Sequence, residues 1–396
     1  MSERSDSPTG PAGTALFALG FRPFFLLALA AAALLIAPWT LAHRGAFAFD
    51  TYYGALPWHA HEMIFGYTAA VVAGFLLTAV RQWTGRETAS GGLLAALVLL
   101  WLAGRATPYL QQALPAWAIA ALDLAFLPAL ALTLAMPLAR SGARRNLIFV
   151  PVLLALALAN ALVHAGQLGG SLSMARSGLY LGVDIVVLMI AIIGGRILPY
   201  FTERALPEAA PRRRAWLEPI AIASVVALAL ARLLSAPAVL LGGVAATAAL
   251  AHALRLAGWH ARGIWSVPLL WVLHLGYAWM VLGFGLTALA ALDRAPPFLA
   301  LHALTSGAIG VMTLGMMARV SLGHTGRALK PAGMTVVAFA LVNLSAALRV
   351  FAPLAFPIRT ADLVAASALL WVLAFALAFA AYAGILVRPR ADGRPG

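Results

Sequence analysis

Long apolar runs alternate with short polar ones along this chain. Apolar stretches recur from Phe24 to Val387, most of them close to the ~20 residues that cross a bilayer as a helix. We read twelve spans, at 17–41, 56–80, 91–104, 116–139, 147–168, 177–199, 216–234, 237–258, 266–291, 297–322, 331–351 and 361–387. The third is short, and we extend it over Arg105. Turn signals separate the spans: Thr84-Gly85, Ser141-Gly142, Gly169-Gly170, Pro207 to Pro211, Pro296-Pro297 and Pro353. No segment outside them is long enough to fold alone, and no internal repeat is evident. The pattern predicts an all-α polytopic membrane bundle of about twelve transmembrane helices. It forms a single domain over 17–387, with a disordered tail over 1–16 and a second tail over 388–396.

Composition supports this class. Of the 396 residues, 63% are hydrophobic and 10% charged, against roughly 25% charged in soluble domains. A cleaved export signal has one short apolar stretch, whereas here they recur throughout. The net charge of +14 and the isoelectric point of 11.3 raise nucleic acid as a partner. The arginines, however, are spread through short loops and gather on no single face, which marks membrane topology and argues against nucleic acid. There is no cysteine, so disulfides, iron–sulfur clusters, thiolate metal sites and thioether-linked haem are excluded. Any metal must be held by His, Met, carboxylate or carbonyl groups, and any haem without a covalent link.

Basic residues orient the bundle. The loops after even-numbered helices, with the C-terminal tail, hold Arg81, Arg86, Arg140, Arg144, Arg145, Arg204, Arg212, Arg213, Arg214, Arg255, Arg262, Arg327, Lys330, Arg388, Arg390 and Arg394. Those after odd-numbered helices hold only Arg44, Arg105, Arg176, Arg232, Arg294 and Arg359, with Arg349 nearby. The positive-inside rule then places both termini in the cytoplasm.

Orientation gives each of the nine histidines a depth. His59, His61, His164 and His302 fall in the outer half, His274 lies deeper, and His252, His260 and His324 lie at the cytoplasmic edge. His302 and His324 bracket one helix and stand ~33 Å apart, too far to share an ion. In helix 2, His59 and His61 are rotated ~200° from one another on a regular helix. The His59 face continues through Glu62, Met63, Gly66, Ala70 and Gly74, whose small residues admit a partner helix or a flat macrocycle. His59 backed by Glu62 is therefore the better-supported ligand, and Glu62 the candidate proton relay. His302 shares a stripe with Ser306 and Gly310, and Gly307 and Gly315 thin that helix further. His274 sits among Trp271, Tyr277 and Trp279 beside Gly276, a setting that suits axial ligation of haem.

Plainer roles compete for some of these residues. His43, His252 and His260 are read as structural, since interfacial imidazoles cost little, and any single buried histidine can serve as an interhelical bond. Met312, Met316 and Met317 are read as packing before copper ligation, and Arg212 to Arg214 as a topology anchor. Asp184, Arg196, Arg319 and Arg349 lie in or at the ends of helices, where ion pairing and substrate access are both open roles. No phosphate-loop pattern occurs.

Five segments resemble the NnrS family: ALGFRPFF (18–25), WHAHEMIFGYTAAVVAGFLLTAV (58–80), GGRILPYFT (194–202), PLLWVLHLGYAW (268–279) and HALTSGAIGVMTLGMMARVSLGHTGR (302–327). The chain departs from that pattern at Arg81-Gln82-Trp83, where Pro-Asn-Trp is expected, and at Tyr200, where small residues are usual. The resemblance implies a multi-pass protein of the bacterial cytoplasmic membrane, containing haem b and copper. It also implies a role in nitric oxide metabolism, in denitrification or nitrosative-stress defence. The family's histidines match His59, His61, His274, His302 and His324. The expected site therefore comprises Glu62 as catalytic group, His59, His274 and His302 for haem, and His59, His61, His164, His302 and His324 for metal. An oxidoreductase reducing nitric oxide to nitrous oxide, fed by an unidentified quinol or redox protein, is one reading. A sensor or metal-handling protein without turnover is a second and a transporter a third. A green fluorescent protein fused to the C-terminus should fluoresce and an alkaline phosphatase fusion should stay inactive; the opposite pair of results would invert the topology.

Overall fold

The structure is a computed structural model and describes residues 14–142, 144–394 and 396. The N-terminal tail expected over 1–16 lies, for residues 1–13, outside the described residues. Eighty per cent of the molecule is helical, and the described residues contain no strand. Among the described residues, eleven helices are long and apolar enough to cross a membrane: α1 (Phe21–His43), α2 (Ala55–Thr84), α3 (Gly91–Leu110), α4 (Ala116–Arg140), α5 (Arg144–Leu168), α6 (Leu172–Ala205), α8 (Ala238–Trp259), α9 (Pro268–Ala291), α10 (Pro297–His324), α11 (Gly333–Ala355) and α12 (Pro357–Val387). The twelfth, α7 (Leu217–Leu233), has 17 residues. The chain is a multi-pass membrane protein. Each helix packs on the next, and α12 closes against α1.

Burial ranks these helices. Along their apolar windows α2 is 83% buried and α10 72%, whereas the others lie between 33% and 56%. The two helices that each carry two histidines are thus the axis of the bundle. Both also leave α geometry directly after a histidine: α2 is a π-helix over Glu62–Thr68 and α10 over Ala303–Gly310. Such i→i+5 turns release backbone carbonyls and concentrate at functional positions. Side chains take up the released groups in α2: the Thr68 hydroxyl donates to Met63 O at 2.7 Å, and the Trp101 indole donates to Gly66 O at 3.0 Å. Tyr67 Oη is hydrogen-bonded to Thr313 Oγ1 and ties the two central helices together.

Close helix contacts depend on glycines. A Cβ on Gly178 of α6 would lie 2.5 Å from Ala159 O and 2.8 Å from Val163 N of α5, so backbone meets backbone there. The gaps expected to admit a macrocycle are mostly filled by protein. Phe25 occupies the space over Gly74, the Met312 backbone that over Gly276, Trp279 that over Gly307 and Trp371 that over Gly310. Of the two partners that small residues could admit, a helix is the one found at these positions. Gly178→Ala should therefore lower the stability of the detergent-solubilised protein by about 1–3 kcal/mol, through overpacking, in a thermal unfolding assay. Gly243, which has nothing within 4 Å, should accept alanine without loss.

Candidate metal centre

Three helices and one loop build a polar cluster in an otherwise apolar interior. His61 Nε2, His164 Nε2 and Asp123 Oδ2 come from α2, α5 and α4, and all three atoms lie within 4.8 Å of one another. Asp123 stands one residue before Leu124. The helix breaks at Ala125, where Pro128 removes the N–H that would bond to the Leu124 carbonyl. Asn160 is one helical turn before His164, so both side chains leave the same face of α5. Asn160 Nδ2 donates to Asp123 Oδ2 at 2.7 Å, and Asn160 Oδ1 lies 2.9 Å from His61 Nε2. Tyr53, from the loop after α1, places its Oη 3.0 Å from His61 Nε2 and 3.2 Å from His164 Nε2.

The electrostatics of this pocket are balanced by one arginine. Arg105 pairs with Asp123 and lies 3.3 Å from Glu62 Oε2, and both carboxylates are almost wholly buried. Glu62 Oε1 lies 3.3 Å from His61 Nδ1. With His61 as an imidazolium, two anions face two cations. With a neutral His61 holding its proton at Nδ1, the Nε2 lone pair faces Asp123 and Asn160 oxygens, and a cation between them would restore the balance. Gly66 and Gly104 make room for this packing. A Cβ on Gly66 would lie 2.8 Å from Glu62 Oε2, and one on Gly104 would lie 2.7 Å from Asp123 Oδ1. Burial and the Asp123 carboxylate push the Tyr52 phenol up to about 12 and that of Tyr53 well above its ordinary range. Both phenols therefore keep their protons through neutral pH.

The expected site residues separate into groups. His61 and His164 share the cluster, with Glu62 behind His61. The Glu62 carboxylate is turned toward His61 and Arg105 and not His59, and the π-helix that begins at Glu62 ends the regular rotation on which the rest of the His59 face was read. His59 instead stacks on Trp39 at 4.1 Å between ring centroids, and Trp39 also stacks with His43 at 5.1 Å. His302 and Arg349 are electrostatic neighbours of His59. His302 directs Nδ1–H to Phe298 O at 2.7 Å, and its Nε2 accepts from Arg349 at 3.1 Å. His274 directs Nδ1–H to Leu270 O at 3.0 Å, and its Nε2 is buried without a hydrogen-bond partner. His324 is at the far end of α10, against Phe21. His252 has both ring nitrogens occupied, by Tyr277 Oη and Ala221 O, as a structural histidine should.

Sequence reasoning passed over Asp123, Asn160, Arg105 and Tyr53. Arg105, counted among the loop arginines for orientation, lies in α3, as the extension of the third span expects, and is held there by two buried carboxylates. Asp123 carried a usable signal, being the only charged residue of the fourth span, and a membrane-embedded acid demands a partner.

The model of the NnrS protein family matches residues 15–390, nearly the whole chain. The chain belongs to the NnrS family. Membership supports a membrane protein related to nitric oxide. No curated protein matches the chain. Within this NnrS-family fold the ion pairs are unequal in weight. Arg105→Met would leave two buried carboxylates uncompensated and should cost about 3–5 kcal/mol in unfolding experiments. Arg44→Met breaks an exposed pair with Asp362 and should cost under ~1 kcal/mol.

Proposed function

We propose that this protein binds copper through His61, His164 and Asp123 inside the bundle and acts there on nitric oxide. The observation that carries the reading is the convergence of two imidazole nitrogens and a carboxylate oxygen within 4.8 Å. Nitrogen and oxygen donors without thiolate suit a copper ion of borderline softness. Bound there, copper supplies Lewis-acid and one-electron chemistry toward a small neutral gas that reaches the site through lipid. The chain's own residues do the rest. Glu62 holds the proton at His61 Nδ1 and fixes the ring so that Nε2 faces the site. Tyr53 keeps a phenol proton beside both imidazoles. Arg105 offsets the charge of Asp123 and Glu62.

For haem b, the second expected cofactor, His274 offers the candidate ligand, with the Met312 backbone filling the space over the neighbouring Gly276. Leu270 O holds the Nδ1 proton, and the buried Nε2, with the Trp259 backbone as its electrostatic neighbour, makes no hydrogen bond. Trp39 stacks on His59, and Trp279 and Trp371 fill the space over Gly307 and Gly310 of the helix that carries His302.

In this reading the protein sits in the bacterial cytoplasmic membrane with both termini inside, and the His61 pocket lies toward the outer face. The sharpest form is an oxidoreductase in which two nitric oxide molecules, two electrons and two protons give nitrous oxide and water. A quinol or redox protein would supply the electrons.

A second reading, binding without turnover and without metal, draws on the fact that each ring nitrogen of His61 and His164 has a protein partner. Metal analysis of purified protein decides between them. Wild type and His260→Ala should carry copper, and His61→Ala and His164→Ala should lose at least ten-fold. Copper-free wild type, or equal copper in all four, would overturn the site. The Soret band should vanish in His274→Ala and persist in His302→Ala.

A further inference from the structure

A second polar group lies apart from the histidines, at the floor of a cleft of about 420 Å³ between α6, α7, α9 and α10. Its wall is mostly alanine and leucine, and Arg176 stands exposed among its lining residues. Asp184 and Arg232 form the floor, with Nη1 2.6 Å from Asp184 Oδ1. Arg232 Nη2 donates to Thr287 Oγ1 at 3.2 Å, and the guanidinium lies over the Tyr180 ring at 5.5 Å. Two valences remain open. Asp184 Oδ2 is buried without a partner, and Arg232 Nε has no hydrogen bond among the described residues.

The charge of the pair selects its ligand. Arg232 is already neutralised by Asp184, so an anionic headgroup would meet a carboxylate as well as a guanidinium and gain little. An unpaired acceptor beside a spare donor instead suits a neutral molecule that offers both an O–H and an oxygen lone pair. The apolar wall calls for an apolar body, and the volume lies in the range of ordinary small-molecule sites. We propose that this cleft binds a membrane-dissolved hydroquinone, with a ring hydroxyl donated to Asp184 and a ring oxygen accepting from Arg232.

The cleft's position gives the binding a use, and this part rests on the nitric oxide reading above. Gly182, two residues from Asp184, is on the other side of α6, where a Cβ would lie 3.0 Å from Ile64 and Phe65. The Phe65 ring is 5.1 Å from that of His61. One helix, roughly 10 Å across, thus separates the cleft from the His61 pocket. Oxidation of one hydroquinone to quinone releases two electrons and two protons. Reduction of two nitric oxide molecules to nitrous oxide and water consumes the same number of each. Asp184 would take the first proton as the ring oxygen loses it.

Calorimetric titration with decylubiquinol, on the full chain in phosphatidylcholine nanodiscs without nitric oxide, tests the binding. Saturable binding of one equivalent is expected. It should weaken at least ten-fold when both ring hydroxyls are methylated, a control that leaves the protein unaltered. Ala290→Trp, which fills the cleft from a lining residue outside the ion pair, should weaken it as much. Absence of saturable binding, equal binding of the methylated compound, or displacement by phosphatidylglycerol would overturn the proposal. Because nitric oxide is absent, a failed metal analysis at His61 would leave the cleft's hydroquinone binding standing.

Discussion

Two carboxylates buried inside a membrane bundle, Glu62 and Asp123, can keep their charge only if a cation lies between them, and Arg105 is that cation. Desolvating either acid alone would cost several kcal/mol, so the three groups are held as one unit. The arginine fixes α3 against α2 and α4, and α4 in turn brings Asp123 to the histidines of α2 and α5. The functional geometry follows from this constraint. His61 is oriented by Glu62, Asp123 is oriented by Arg105 and Asn160, and the three donor atoms face a common centre.

The backbone makes room for the same unit. The π-helical turn begins at Glu62, whose carboxylate lies behind His61 and beside Arg105. The cost of the wider turn is met locally by the Thr68 hydroxyl and the Trp101 indole, which bond carbonyls in the turn. Gly66 and Gly104 sit where any side chain would strike the carboxylates. Sequence, local geometry and site chemistry therefore converge on one short stretch of the most buried helix.

The fold was legible because its signal is long: a run of twenty apolar residues survives errors of several positions at each end. Depth was legible as well, and it grouped His61 and His164 toward one side. The pairing of side chains was not. Periodicity gives the rotation of a Cα about the helix and not the direction of its side chain, so it joined Glu62 to His59, whereas the carboxylate reaches His61 Nδ1 and Arg105. Asp123 and Arg105 are 18 residues apart in sequence, on separate helices, and no local pattern announces that they meet. Glycine stripes were also ambiguous. Gly74 and Gly276 signal close approach without saying whether a porphyrin, an aromatic ring or another backbone will approach. Gly178 was invisible for the opposite reason, since its value lies wholly in the Ala159 carbonyl of the neighbouring helix.

Copper-edge X-ray absorption on the purified, membrane-extracted protein tests the central claim most directly, because it reads the donor atoms themselves. The account predicts a first shell of nitrogen and oxygen only, with the outer-shell scattering of two imidazoles. A sulfur shell would place the copper on methionines such as Met312 or Met316, away from His61, His164 and Asp123, and would contradict it.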